Sequence, residues 1–531
     1  MIKDSLLLVV SLLFIISMLA MLSDKLRISY PIFLVLAGLG ISLIPRIPQI
    51  QLDPDLVFVI FLPPLLYAAA WNTSWHDFWK YRRPIGLMGF GLVFCTALAV
   101  AWFSHFLIPD FSLPLGFLLG GIISPPDAVA AASVLQNLKV PKRVVDVLEG
   151  ESLVNDASSL IVFRFAIAVI LTGKFVFWRA GVDFVLVVAM GILIGLAIAY
   201  IAYAIQRWLP TTSSIDTAIS LICPYLMYIV AEHFHFSGVL AVVSGGLFLS
   251  YRSPEILSYE SRLQAQSVWN VIVFLLNGVV FILIGLQLPG IVRGLGEYSL
   301  ASAIGYGVLI SLLIIVVRIL WVFPGAYCPR MFSKRIRKRE VRPTGQSIFV
   351  IGWAGMRGVV SLASALAVPI TLSGGAAFPH RDMILFITFC VILFTLVLQG
   401  LTLPLIIRWL KVEGEENKEE ERLGMRLRMA NAIVGYINTH YKEQAGNIEA
   451  FTRLKNRYER MAAITSSRLK HEASDEGKGG GFLPEYRKLL IELVDVQRHE
   501  LAQMRREDEY PEEVLRNKET ELDLEEARYR R

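Results

Sequence analysis

Charge is scarce in this 531-residue chain. Lys, Arg, Asp and Glu supply 18% of it, where a soluble domain carries about 25%. A disproportionate share of those charges falls after Lys411. Together with 55% hydrophobic residues and a mean hydropathy of +0.56, this deficit excludes a soluble enzyme. It leaves a polytopic membrane protein followed by a charged helical tail. Cysteine is scarce too. Cys95, Cys223, Cys328 and Cys390 are isolated, with no Cys-x-x-Cys or metal spacing, so neither disulfides nor zinc are expected. No GxxxxGK[ST] loop is present, which argues against a nucleotide-driven pump; no cofactor is expected. The net charge of +6 follows membrane topology and points to no nucleic acid partner.

Apolar runs long enough to cross a hydrocarbon core of ~30 Å recur near 5–22, 28–45, 55–71, 85–108, 114–136, 144–172, 180–206, 214–232, 236–251, 266–288, 299–323, 347–370 and 382–410. That predicts thirteen transmembrane helices. The first run lacks a small-residue cleavage site before Asp24 and Lys25, so it reads as a span and not as a leader. One set of alternating loops is rich in basic residues: Lys25 and Arg27; Lys80, Arg82 and Arg83; Lys139, Lys142 and Arg143; Arg207; Arg252 and Arg262; and Arg330 to Arg342. The other set holds only Arg46, Lys174, Arg179, Arg293 and Arg381. The richer set belongs inside. This places the N-terminus outside and the tail in the cytoplasm, with a transmembrane domain over 1–411 and a cytoplasmic helical domain over 412–531.

Thirteen spans divide into six, one and six. The fifth span of the first half contains Gly120, Gly121, Ile122 and then Ser124-Pro125-Pro126-Asp127; its counterpart contains Gly355-Met356-Arg357-Gly358. Paired Gly/Pro interruptions in two halves point to a transporter of inverted repeats whose site lies at the broken helices. Pro125 and Pro126 cannot donate to the carbonyls of Gly121 and Ile122. Unwound backbone at membrane depth is tolerated where it lines a cavity. Asp127 suits the positive helix ends of such a break, and Arg357 the negative ones.

The stretch from Glu151 to Asp156 lies inside one apolar run, and intramembrane carboxylates mark ion or proton pathways. Helical spacing puts Ser152, Asp156 and Ser159 on one face, with Glu151 and Asn155 on an adjacent one. Carboxylate, amide and hydroxyl oxygens are hard ligands, suited to an alkali cation or a proton. Desolvation favours a neutral carboxyl, so one acid that binds either a cation or a proton, never both, couples two opposite flows. Asp156 is the candidate carrier and Na+ ligand. Glu151 and Arg357, both buried charges, are expected to pair.

Arg164 is expected to snorkel outward, and Arg318 is a similar case. His233 and His235 flank Phe234 at the end of the eighth span, where they are more simply packed or interfacial residues than pH sensors. Trp71, Trp75 and Trp79 form an interfacial belt. In the tail, Leu423, Leu427, Ala430, Val434, Ile437 and Tyr441 make one helical stripe. Leu489, Leu490, Leu493, Val496 and Leu501 follow a linker from Asp475 to Gly481, and Pro511 starts a third helix.

The segments Gly150 to Asp156 (Gly-Glu-Ser-Leu-Val-Asn-Asp), Ser124 to Ala128, Gly355 to Gly358, and Phe61 to Tyr67 (Phe-Leu-Pro-Pro-Leu-Leu-Tyr) together resemble the monovalent cation:proton antiporters. The branch is that of the NhaP proteins and the sodium/proton exchangers, and the layout is most similar to its bacterial members. The resemblance implies a homodimer in the plasma (inner) membrane that serves pH homeostasis. Each subunit would have a six-helix core moving like an elevator. Asp156 would bind cation or proton, assisted by Ser152 and the neighbourhood of Asp127. Asn155 would brace the site, and Glu151 with Arg357 would form a structural ion pair. The Asn-Asp pair further implies one-for-one exchange. Two departures stand out: Ala68 replaces an acid common after the Leu-Pro-Pro run, and Pro126 replaces a common threonine. The expected function is exchange of Na+, with Li+ or K+ as further substrates, for H+. The alternatives are a passive cation channel and an intramembrane aspartyl protease using Asp127 and Asp156. The protease's Tyr-Asp and Gly-x-Gly-Asp signatures are absent.

Overall fold

The computed structural model describes residues 2–26, 28–44, 57–135, 138, 140–173, 177–296, 298–332, 334, 343–372, 376–412, 417–442, 448–472, 482–507, 518 and 521–526. Among them the chain is helical, apart from an isolated antiparallel bridge between Thr371 and Ala377. It separates into two compact units, Met1–Glu415 and Glu416–Arg531. Of the basic residues that orient the chain, Arg27, Arg46, Lys139, Lys174 and 335–342 lie outside the described residues, as do the linker from Asp475 and the helix start at Pro511.

The first unit opens with α1 (Ile2–Leu26) and α2 (Tyr30–Ser42). A π-helical turn, Val57–Phe61, leads into α3 (Leu62–Asn72). Short α4 (Trp75–Lys80) and α5 (Arg82–Gly86) precede a second π-helical stretch, Leu87–Leu92, that runs on into α6 (Val93–Leu107). Next come α7 (Leu113–Ile123), α8 (Ala128–Leu135) and the long α9 (Lys142–Thr172). They are followed by α10 (Phe177–Trp208), α11 (Ser213–His233), α12 (Gly238–Ile256) and α13 (Tyr259–Leu286). The unit ends with α14 (Leu288–Gly294), α15 (Leu300–Phe332), α16 (Gly345–Trp353), α17 (Val359–Leu366) and α18 (Arg381–Trp409). Hydroxyls start several of these: Thr212 accepts from Ile215 N, Ser237 from Leu240 N, Ser258 from Ser261 N and Thr344 from Ser347 N. Each satisfies a donor that the first helical turn leaves free.

Nine helical stretches among the described residues are long and apolar enough to cross a membrane. Four predicted runs fall outside the nine. Those at 28–45 and 55–71 form the shorter apolar helices Tyr30–Ser42 and Phe58–Asn72. The run at 236–251 becomes α12, and the one at 347–370 is cut into α16 and α17.

Burial is organised around α9. One apolar core joins Ile32, Val100, Leu118, Phe281 and Phe386 to Val147 and Phe163 of α9. A second joins Tyr67, Met227, Ala241 and Leu247 to Leu153 and Ala157 of the same helix. The helix carrying the candidate acids is therefore held from both sides.

The first helix break is narrower than expected. Gly121 and Ile122 are still helical, within α7. Ser124 N reaches Gly120 O at 3.0 Å, and Ser124 Oγ covers Gly121 O at 3.3 Å, the carbonyl that Pro125 cannot serve. A Cβ on Gly120 would sit 2.7 Å from Ala97 Cα and one on Gly121 3.0 Å from Phe163 N. Close packing accounts for those two glycines, and the unwinding begins at Ser124.

The second unit contains α19 (Asn417–His440), α20 (Glu449–Glu472) and α21 (Phe482–Glu507). Leu423, Ala430 and Ile437 of the predicted stripe are buried, two turns apart, whereas Tyr441 is exposed. The α21 stripe is met only in part: Leu501 is buried as expected, but Val494 is buried where Leu493 and Val496 are exposed.

Candidate functional site

The two breaks meet. In an unbroken helix Asp127 N would bond Ile123 O; here it donates to Met356 O at 2.7 Å, in the second break. The vacated Ile123 O accepts from Arg357 Nε at 3.1 Å. Arg357 also donates through Nη1 to Gly355 O, and its backbone N reaches Thr395 Oγ1 at 3.1 Å. Asp127 Oδ1 accepts from Val129 N at 2.8 Å, so the carboxylate caps the start of α8. A buried guanidinium thus faces freed carbonyls and a half-buried carboxyl faces a helix N-terminus, as the end charges favour.

The break is tied to α9 by two of the candidate residues. Asn155 Nδ2 donates to Pro126 O at 3.1 Å, and Ala128 N donates to Ser152 Oγ at 3.4 Å. Ser159, on the predicted face with Asp156, turns its hydroxyl back to Asp156 O at 2.9 Å.

Glu151 does not pair with Arg357. Its carboxylate accepts two bonds from Arg318, Nη1 at 2.5 Å and Nη2 at 2.8 Å, with both residues at most 1% exposed. The reason lies in the second break. Gly355 N turns to Trp353 O at 2.8 Å, which leaves Ile351 O without its helical partner. Arg318 enters from α15 and fills that carbonyl through Nε at 3.3 Å and Nη2 at 3.1 Å while holding Glu151. A Cβ on Gly355 would collide with Arg318 Cδ, so glycine is what lets the arginine in. Arg164 does reach a half-exposed position, but it is bonded to Glu232 Oε2 at 2.5 Å.

A cavity of about 290 Å³ lies beside the breaks, with Ala68, Asp127, Ser152 and Asp156 on its wall. Asn155 is behind that wall. Six polar liners, Tyr30, Asn72, Ser133, Glu149, Asn277 and Ser361, were not among the sequence candidates. Glu149 was legible, because it stands seven residues before Asp156, on the face of Ser152. The other five come from other helices and carry no sequence signal. The polar groups are all oxygen or amide donors, an environment for a hard cation.

Gly358 is where this geometry is least forgiving. A Cβ there would overlap Asp127 Oδ2. Gly358→Ala is expected to cost about 1–3 kcal/mol by overpacking, read as earlier thermal unfolding of the detergent-solubilised protein. Gly305→Ala, whose Cβ meets nothing within 4 Å, should leave that transition in place. Equal behaviour of the two variants would refute the packing of Asp127 on Gly358.

The transmembrane pattern of the sodium/hydrogen exchanger family matches residues 9–409. The chain belongs to that family. This exchanger is similar to an uncharacterized Na+/H+ exchanger of Mycobacterium tuberculosis, 31% identical over 519 residues that cover 95% of this chain and 93% of the other. A sodium, potassium, lithium and rubidium/H+ antiporter of Bacillus pumilus is 35% identical over 387 residues, covering 71% of this chain and 57% of its own. Among solved structures, the sodium proton antiporter MjNhaP1 of Methanocaldococcus jannaschii superposes with a TM-score of 0.61 at 20% identity, over 77% of this chain and 99% of that one. The exchanger shares that fold. It is a multi-pass membrane transporter and not an enzyme.

Proposed function

We propose that the exchanger moves a monovalent cation (Na+, and also Li+ or K+) against H+ across the plasma membrane by alternating access, with Asp156 holding either the cation or the proton. The observation that carries this reading is the position of Asp156. It is a carboxyl on a membrane helix, buried between two cores, on the wall of a cavity where both helix breaks meet. Ser152 and Asp127 share that wall, and Asn155 braces it through Pro126 O. The breadth of the cation set is supported by the Bacillus pumilus relative, whose name includes potassium and lithium.

The nine long stretches, the two shorter apolar helices, α12 and the broken pair α16–α17 support thirteen crossings. Contact between the two breaks supports two inverted six-helix repeats. The exchanger works as a homodimer without a cofactor, its N-terminus outside and the domain from 412 onward in the cytoplasm. It serves pH homeostasis.

The test is proton movement in inverted vesicles carrying the full chain, followed with a pH-sensitive dye while NaCl, LiCl and KCl are added in turn across a pH series. Cation addition should dissipate an imposed proton gradient. A cation flux indifferent to the gradient would mark a channel and overturn the proposal.

A further inference from the structure

We infer that the Ser361 hydroxyl is a direct oxygen ligand of the transported cation, supplied by the second broken helix and standing in for the acid missing at Ala68. The inference rests on the antiport reading. Ser361 lies in the first turn of α17, three residues after Gly358, where an added Cβ would collide with Asp127. It lines the cavity with Asp127, Ser152 and Asp156, and it is 1% exposed.

Several buried serines return their Oγ to a carbonyl of their own helix: Ser158 to Asn155 O at 3.0 Å, Ser159 to Asp156 O at 2.9 Å, Ser311 to Gly307 O at 2.6 Å. For Ser361 the carbonyls three and four residues back belong to Gly358 and Arg357, inside the break. Among the described residues nothing hydrogen-bonds Ser361 Oγ. A buried hydroxyl left unpaired is costly, and one on the wall of an ion cavity is satisfied when a cation accepts its lone pair.

The donor count points the same way. Asp127 spends Oδ1 on Val129 N, Ser152 Oγ already accepts from Ala128 N, and Ala68 offers no oxygen. A cation that sheds water at Asp156 needs further hard oxygens; Glu149 and Asn277 line the same wall, and Ser361 is the hydroxyl on it from the second broken helix. A site built from both breaks would also bind the cation only while the two are together.

The inference is tested with the full chain in inverted vesicles, by titrating LiCl, NaCl and KCl separately. Ser361→Ala should raise the apparent KM roughly three- to tenfold, unequally among the three ions, with Vmax retained. Ser361→Cys keeps the volume but replaces a hard oxygen by soft sulfur and should behave alike if the alanine variant folds poorly. Ser364→Ala removes a buried hydroxyl of the same helix that does not line the cavity and should leave all three KM values in place. Unchanged KM values, an equal shift for every ion, or a loss confined to Vmax would overturn the assignment. If the unmodified chain exchanges none of the three ions, the antiport reading falls and the inference with it. If it exchanges them and the Ser361 variants match it, only the inference falls.

Discussion

Asp156→Asn is expected to reduce cation-driven proton movement to the background of vesicles without the exchanger, for Na+, Li+ and K+ alike, while the protein still inserts. The substitution keeps the shape of the side chain and removes its ability to give up a proton. Coupling of two opposite flows needs one group that exchanges its proton for a cation, and an amide has no such proton to exchange. Asp127→Asn should be milder, because Asn caps a helix as well as Asp does and the bond from Val129 N to Asp127 Oδ1 can be kept. The contrast between the two variants, measured in the same dye assay at matched protein levels, separates the carrier from the cap. Normal exchange by Asp156→Asn would remove the basis of the proposed mechanism.

How much of this could be read from residues alone depended on the length scale of the interaction. The apolar runs and the tail stripe of α19 were legible because composition and a helical period are local properties. The breaks were legible because Pro125, Pro126 and Gly358 act on the backbone at their own positions. Even there the start of the first break was misplaced by two or three residues, since Ser124 can serve Gly121 O through its side chain. The stripe of α21 was met only in part because Leu493, Val494 and Val496 are all apolar, and only packing chooses Val494. The partner of Glu151 was not legible at all. Two buried arginines were available, and the choice depends on which helix delivers its guanidinium to the carbonyl of Ile351. Ser361 was invisible for a related reason, because a lone serine in an apolar helix acquires meaning only beside a cavity.

Breaking the Glu151–Arg318 pair should have the largest effect on folding. Removing one partner of a buried ion pair costs about 3–5 kcal/mol, because the remaining charge stays buried and unpaired. Arg318→Ala also returns Ile351 O to an unpaired state, since both of its bonds come from this side chain. A sharp fall in folded yield and in the unfolding temperature of detergent-solubilised protein is therefore expected. Arg318→Lys should rescue little, because an ammonium cannot reproduce two parallel bonds to the carboxylate together with those to the carbonyl. Adding Glu151→Gln to Arg318→Ala removes the orphaned charge and should recover part of the loss. Adding it to Arg357→Ala should recover none, because Arg357 spends its donors on Ile123 O and Gly355 O instead. The two double-mutant cycles thus assign the partner by the sign of the coupling. Recovery in the Arg357 cycle, with additivity in the Arg318 cycle, would restore the pairing inferred from sequence and refute the observed one.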